Sequence, residues 1–164
     1  MHIEVDQSGK IEQTHTDTVL AFSNEISYAV LIPARVKREA INLLRAAGKR
    51  GKSLYISLFA VALYQLLKGH LDRVDLIAID MEYGGNEQDL KLALLNLIWQ
   101  RHPTYPAANI TFRRIGKKSS AHRKALATHR GVVTADRTLT VEELLAPLVG
   151  KKQKRSGKPF QGGP

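Results

Sequence analysis

The sequence predicts an α/β fold in which a mixed sheet of about five strands carries helices on its faces. Two observations lead to this prediction. Residues 2–32 contain three short apolar segments separated by turn residues, which is typical of an antiparallel meander. From residue 34 onward helical patterns alternate with strand patterns, as in βαβ units. A chain of 164 residues is most simply one domain, and we assign residues 1–149 to it.

The meander begins with "IEVDQSG", where Ile3 and Val5 alternate with acidic residues. A tight turn at Ser8-Gly9 and a returning strand that includes Ile11 are expected to follow. The segments "THTDTVLAFSN" and "ISYAVLIP" are rich in Thr, Val, Ile, Phe and Tyr, and a polar break separates them. They are predicted to form the second and third strands, joined as a hairpin.

Two helices are predicted next. Pro33 stands where a helix would start, and apolar residues recur at helical spacing as far as Gly48. The basic loop "GKRGKS" then resembles a phosphate-binding loop, but Ala46 stands where that pattern needs glycine, and the loop follows a helix rather than a strand. We therefore exclude that motif. The segment "SLYISLFAVALYQLLKG" is apolar all round and too short to span a bilayer, so we predict a buried helix.

The second half continues the alternation. "VDLIAID" is a continuous apolar run ending at Asp80, which is typical of a strand covered on both faces. Asn86 is a candidate N-cap for a helix over residues 87–101, "ANITFRRIG" is a further strand, and "SSAHRKALATHRG" is a short basic helix. Thr140 and Glu143 have the spacing of a capping box that opens a last helix. Residues 150–164 are basic without an apolar pattern, and we predict a disordered tail.

Composition narrows the classes of function. The chain has no cysteine, which excludes disulfides and thiolate metal sites. No apolar run approaches the roughly 18 residues of a membrane span, and the first residues are polar and acidic, unlike a signal peptide. We therefore expect a cytoplasmic protein with no membrane partner.

Charge is distributed unevenly along the chain. The net charge is +10, yet residues 1–33 carry −4 and residues 34–164 carry +14. Between Leu90 and Ala135 there are nine basic residues and no acidic one. Such a field attracts polyanions, among which nucleic acid is the commonest, so we expect a DNA or RNA partner.

Two carboxylates are predicted to meet at one edge of the sheet. Asp6 lies near the end of the first strand and Asp80 at the end of the fourth, and each follows apolar strand residues. If these strands are parallel neighbours, both side chains reach the edge at which α/β sheets bind ligands. Neighbouring carboxylates repel one another unless a hard cation such as Mg²⁺ or Mn²⁺ neutralises them. Glu82, two residues after Asp80, is the third candidate metal ligand.

This pattern resembles the ribonuclease H-like superfamily, which includes ribonucleases H, Holliday-junction resolvases, integrases and transposases. The resemblance rests on Asp6 in "IEVDQSG", Asp80 in "LIAIDMEY" and the element order over residues 2–130. It implies two-metal hydrolysis of phosphodiester bonds, with Asp6 and Asp80 as catalytic metal ligands. It also implies a homodimer as one option, since resolvase-like enzymes are commonly dimers.

The chain departs from that family at the helix after the fifth strand, where members usually place a further acid. The corresponding "GKKSSAHRKALATHRG" has none. His122 in its first turn is the best substitute, because imidazole can ligate a metal or orient water. Asp136 is a weaker candidate. If neither reaches the site, nuclease activity would be lost or altered.

A basic group in the same region is predicted to bind the nucleic-acid backbone. Its members are Arg113, Arg114, Lys117, Lys118, Arg123 and Lys124. Three alternatives remain open at this point: a non-catalytic nucleic-acid-binding protein with the same fold, a metal-independent ribonuclease that uses Arg123 and His129, and a structural protein with no nucleic-acid role. The sequence does not distinguish DNA from RNA.

Overall fold

A computed structural model describes residues 1–81 and 84–156, with side chains as far as residue 148. Its architecture is α/β, as predicted, with one six-stranded mixed sheet. The strands are β1 (His2–Ser8), β2 (Thr18–Ser23), β3 (Ser27–Ile32), β4 (Leu76–Asp80), β5 (Ile110–Arg113) and β6 (Arg137–Thr138). The helices of the described residues are α1 (Ala34–Ala46), α2 (Gly51–Leu67), α3 (Glu87–Trp99), α4 (Ser120–His129) and α5 (Val141–Ser156).

The strand order is β5-β4-β1-β2-β3-β6. The pairs β1–β2 and β2–β3 are antiparallel, which confirms the predicted meander. The pairs β1–β4 and β4–β5 are parallel, so the predicted βαβ units are present as well. Since β1 and β4 are parallel neighbours, the residues that end these two strands lie at the same edge of the sheet. We call this the carboxyl edge.

The sheet has two very different faces. One packs against α1, α2, α3 and α5 around a large core that includes Val5, Phe22 and Leu63. α2 is buried nearly all round, as its apolar sequence predicts. The other face is covered by α4 over a small buried cluster made of Val19, Ala21, Ala29 and Ala125, with the partly buried Leu31 packed against it. These small residues allow α4 to lie close to β1 and β2.

The structure differs from the sequence-based expectation in two elements. Ile11 does not begin a returning strand; it lies in a turn and is fully buried. The edge strand β6 has only two residues, Arg137 and Thr138, which pair with β3. Its sequence lacks the apolar alternation from which a strand is recognised, so the pairing is visible only once the fold is assembled.

The backbone of α5 continues past Gly150, where a disordered tail was predicted, and residues 157–164 lie outside the described residues. The predicted capping box is confirmed, because Thr140 Oγ1 accepts from Glu143 N at 3.2 Å and Glu143 Oε1 accepts from Thr140 N at 3.1 Å. Within the described residues, none of the helices has the length and apolar character needed to cross a bilayer.

Candidate functional site

Asp6 and Asp80 lie side by side at the carboxyl edge. The parallel register pairs Glu4 with Ala78 and Val5 with Ile79, so Asp6 and Asp80 are the next residues along the two strands. Neighbouring strands are about 4.8 Å apart, and side chains at the same register level point to the same face. Both carboxylates therefore face the side of the sheet that α4 covers; the sequence analysis predicted that they share an edge of the sheet but not which face they occupy.

Asp6 is a buried carboxylate, with 4 % of its surface exposed. Its Oδ1 accepts a hydrogen bond from Gln7 N at 2.8 Å, and its Oδ2 lies 2.8 Å from His122 Nδ1. Burial raises the pKa of Asp6, the hydrogen bonds from His122 and Gln7 oppose that rise, and the charge of Asp80 adds to it. The ionised form of Asp6 is thus destabilised by the loss of surrounding water and by the like charge of Asp80.

Asp80 is fixed by the loop that follows β5. Its Oδ1 accepts from Ile115 N at 2.8 Å. Oδ2 of Asp80 has no hydrogen-bond donor among the side chains and backbone groups that the structure describes. Asp80 is also more exposed than Asp6. The pair is therefore asymmetric: Asp6 is buried, whereas Asp80 is partly exposed.

His122 joins the pair from α4, as the sequence predicted for the helix after the fifth strand. It lies in the first turn of α4, and its ring is partly exposed. An ionised carboxylate only accepts hydrogen bonds, so His122 Nδ1 carries the proton shared with Asp6. In the neutral ring Nε2 is then left as an acceptor, which could hold a water molecule.

Two further contacts position α4 above the carboxylates. Ser119 is the N-cap of the helix: its Oγ accepts from Ala121 N at 3.1 Å and donates to Glu4 Oε1 at 2.9 Å. Glu4 Oε2 in turn lies 2.9 Å from Arg113 Nη2. The bond from Ser119 to Glu4 depends on the assembled fold and leaves no signal in the sequence.

The predicted basic residues lie on β5, on the loop that contacts Asp80, and on α4. Arg114, Lys117, Lys118 and Arg123 are exposed, whereas Lys124 is half-buried. Arg113 is exposed but shares its charge with Glu4. Five positive charges besides Arg113 are thus carried by the segments that contact Asp80 through Ile115 and Asp6 through His122, and such charge attracts a phosphodiester backbone.

The acidic pair meets some but not all of the requirements of a divalent-cation site. Asp6 and Asp80 supply oxygen ligands of the kind that Mg²⁺ prefers, and a cation would neutralise the repulsion between buried Asp6 and its more exposed neighbour Asp80. Among residues 1–81 and 84–148, however, no three His, Asp or Glu side chains are grouped closely enough to hold a metal ion, so Asp6, Asp80 and His122 do not form such a group by themselves. Glu82, the predicted third ligand, lies outside the described residues. The described part of the chain therefore fits a sparse site in which water fills most positions.

Two other predicted candidates lie away from this pair. Asp136 accepts from Ala29 N through Oδ2 at 2.8 Å and fastens β6 to β3, at the far side of the sheet from β4. His129 is at the last turn of α4, where its Nδ1 lies 2.6 Å from Ser8 Oγ and its Nε2 lies 3.2 Å from Thr16 Oγ1. Neither residue contacts Asp6 or Asp80, and both have a structural role in this fold.

The chain matches no protein-family model, and no curated protein or solved structure is significantly similar to it. Its function is therefore inferred from the geometry and charge of the site itself.

Proposed function

We propose that the protein is a metal-dependent nuclease that hydrolyses phosphodiester bonds at the carboxyl edge. One observation supports this above all: Asp6, buried and with a raised pKa, stands beside Asp80 on a parallel neighbouring strand, and His122 binds it from the facing helix. A protein gains nothing for stability from placing two carboxylates together at a strand edge. The arrangement is reasonable when a cation and a phosphate complete it, and it agrees with the resemblance to ribonuclease H-like enzymes.

In this proposal each residue has a separate task. Asp6 and Asp80 would hold Mg²⁺ or Mn²⁺, which when bound supplies a nucleophile at neutral pH and neutralises charge on the reacting phosphate. His122 orients Asp6 through Nδ1 and can accept a proton from water at Nε2. Ile115 N holds Asp80 in place. Lys117 and Lys118 draw the phosphate backbone to the edge.

The proposal is tested by cleavage of labelled DNA and RNA, single-stranded, duplex and branched, with Mg²⁺, Mn²⁺ or EDTA. We expect Asp6→Asn and Asp80→Asn to reduce divalent-dependent cleavage to background. His122→Asn should lower it by about 10- to 100-fold, the usual effect of removing a group that orients a metal ligand. The matched control is Asp72→Asn, since Asp72 is an exposed acid at the opposite end of β4. Equal activity in Asp80→Asn and Asp72→Asn would refute the nuclease.

A second candidate is a non-catalytic nucleic-acid-binding protein with the same fold and basic surface. It is favoured by the finding that the described side chains supply only two carboxylates and one histidine at the edge, without a third acid. Salt-sensitive binding without cleavage under any of the metal conditions would select this candidate. Cleavage that persists in EDTA would instead revive the metal-independent ribonuclease.

A further inference from the structure

A small pocket opens at the carboxyl edge on the face of the sheet opposite α4. It has a volume of about 250 Å³ and is lined by Glu12, Lys52, Tyr55, Ile56 and Asn86. Glu12 belongs to the connection after β1, and Asn86 to the connection after β4. Two of its lining residues thus lie on the connections that follow β1 and β4, the strands that carry Asp6 and Asp80.

The chemistry of the lining suits a flat ring with polar edges. Tyr55 and Ile56 give the pocket an apolar wall, and Glu12, Lys52 and Asn86 are the polar residues of its lining. Asn86 occupies the N-cap position of α3, yet its side chain makes no capping hydrogen bond. The volume lies below the roughly 300–1,000 Å³ of pockets that enclose drug-sized ligands, so it suits a single ring system.

Positive charge surrounds the aromatic wall. Arg45 Nη2 donates to the Tyr55 hydroxyl at 3.2 Å and thereby fixes the direction of the ring. Lys52, in the first turn of α2, lines the pocket directly, and Arg50 is the residue just before that helix. An aromatic ring flanked by guanidinium and ammonium groups is the usual construction for stacking a base while its neighbouring phosphates are neutralised.

We propose that this pocket binds the base of an unpaired nucleotide in the strand held at the carboxyl edge. The inference rests on the proposed nucleic-acid function and narrows its substrate to single-stranded or locally unpaired DNA or RNA, since a base inside a duplex is stacked and cannot enter. The basic residues on the α4 side of the sheet and those around Tyr55 then have complementary tasks. The α4 side attracts the backbone near the carboxylates, and the α1–α2 loop holds the strand one or more nucleotides away.

The test measures binding in EDTA, where cleavage is absent, with short fluorescent DNA and RNA strands and with matched strands that carry abasic sites. We expect Tyr55→Leu to weaken binding of the intact strand by about 5- to 100-fold, the range for losing one base–aromatic stack. The same substitution should leave binding of the abasic strand unchanged, and Tyr55→Phe should restore affinity because it keeps the ring.

The matched control is Tyr64→Leu, because Tyr64 is half-buried on the same helix but lines a different cavity near the end of α2. It should bind both strands as the unmodified protein does. The proposal is overturned if Tyr55→Leu binds like Tyr64→Leu, or if the unmodified protein binds abasic and intact strands equally. Should Tyr55→Leu fail to fold, a strand containing 2-aminopurine decides the matter with unmodified protein: stacking quenches its fluorescence, and unchanged fluorescence on saturation overturns the proposal.

These outcomes are separate from those for the nuclease. Divalent-dependent cleavage with no effect of Tyr55→Leu on binding would leave the proposed function intact and remove the base pocket. Tyr55-dependent binding without cleavage would support the base pocket and contradict the proposed nuclease. Absence of any nucleic-acid binding at low salt would contradict both.

Discussion

Asp6 lies at the proposed metal site, in surroundings that disfavour its ionised form. Burial and the nearby charge of Asp80 raise its pKa, so at neutral pH the folded protein carries an ionised group that water would have stabilised better. The sign follows from proton binding: the folded state holds a proton on Asp6 more tightly than the unfolded chain does. Its contribution to stability therefore falls as pH rises from the ordinary value of 3.8 through the raised pKa.

From this we predict that Asp6→Asn raises the melting temperature in the absence of divalent ions at neutral pH. The neutral amide removes the repulsion with Asp80, and each kcal/mol gained corresponds to about 2–4 °C for a chain of this size. Mg²⁺ should raise the melting temperature of the unmodified protein but leave that of Asp6→Asn unchanged. Calorimetry with and without Mg²⁺ measures both effects. A lower melting temperature for Asp6→Asn in EDTA would contradict the prediction.

Gly9 is required by the turn that follows β1. Its φ is +79°, and a Cβ there would lie 2.1 Å from Asp17 O and 3.0 Å from His129 Cε1. Gly48 also has a positive φ, +93°, but a Cβ there would meet no atom within 4 Å. We predict that Gly48→Ala costs about 1–2 kcal/mol from backbone conformation alone, and that Gly9→Ala costs more because Asp17 must move. Urea unfolding of the two variants measures the difference, and equal costs would show that the turn tolerates the shift.

Lys37 is a fully buried lysine that fastens the connection between β1 and β2. Its Nζ donates to Gln13 O at 2.6 Å, to Thr18 Oγ1 at 2.9 Å and to Lys10 O at 3.2 Å. Lys37→Met would leave these acceptors without a donor, so we predict a loss of about 1–3 kcal/mol in unfolding free energy at pH 7. Denaturant unfolding measures the loss, and Arg35→Met on the exposed side of α1 is the control.

The same lysine predicts a pH dependence. Burial lowers the pKa of Lys37 to about 8 from its ordinary 10.5, although Asp17 and Glu12 oppose the fall. Between these pH values the unfolded chain binds more protons than the folded protein, so unfolding free energy should rise with pH. The rise should be present in the unmodified protein and absent from Lys37→Met. Parallel slopes for the two proteins across this range would contradict it.

At the scale of elements, α4 is held to the sheet at both ends. Ser119 binds Glu4 and His122 binds Asp6 at its start, while His129 contacts Ser8 and Thr16 at its end. We predict that His129→Ala lowers unfolding free energy by about 1–2 kcal/mol and speeds hydrogen exchange in residues 9–17. His15→Ala in the same connection is the control, since His15 is exposed. Unchanged exchange in His129→Ala would show that the contact does not order the connection.

The elements most fully predicted are those whose sequence pattern is local. β2, β3, β4 and the helices follow from apolar periodicity and capping residues, and these signals act within a few residues. The prediction of a strand at Ile11 was wrong and β6 was not predicted, because the structures of both depend on distant partners. Ile11 is drawn into the core from a turn, and the two residues of β6 become a strand only because β3 offers an unpaired edge.

For the whole molecule, the net charge of +10 predicts that nucleic-acid affinity falls as salt concentration rises. The steepness of that fall tests whether the basic residues near the acidic pair form the binding surface. We predict that the triple change Arg114→Gln, Lys117→Gln and Lys118→Gln reduces the slope of log K against log salt by about 0.9 per lost phosphate contact on duplex, and by about 0.7 on single strands. Fluorescence anisotropy across a salt series measures the slopes.

The matched control removes the same amount of charge where α2 and α3 end, with Lys68→Gln, Arg73→Gln and Arg101→Gln, all exposed residues. It should change the slope much less than the first triple change. Equal slopes for the two triple variants would mean that only net charge matters and that the chain has no localised nucleic-acid surface.

The candidate site was predictable in part, also at this scale. Asp6, Asp80 and His122 could be brought together from strand order and from the position of a helix after β5, because topology fixes which strand ends are neighbours. The bond from Ile115 N to Asp80 and the bond from Ser119 to Glu4 could not, because each depends on loop paths that leave no pattern in the sequence.

Mutations in the alanine-lined interface beneath α4 can affect the acidic pair, because this interface sets the distance between the helix and the sheet. Ala21 and Ala29 on the sheet meet Ala125 on the helix with no exposed surface, so even one added methylene pushes the two layers apart. His122 travels with that helix and Asp6 stays with the strand. A substitution in this interface, although it does not contact the acidic pair, could thus lengthen the distance between the His122 imidazole and the Asp6 carboxylate. The proposed activity would then be lost while the protein remains folded.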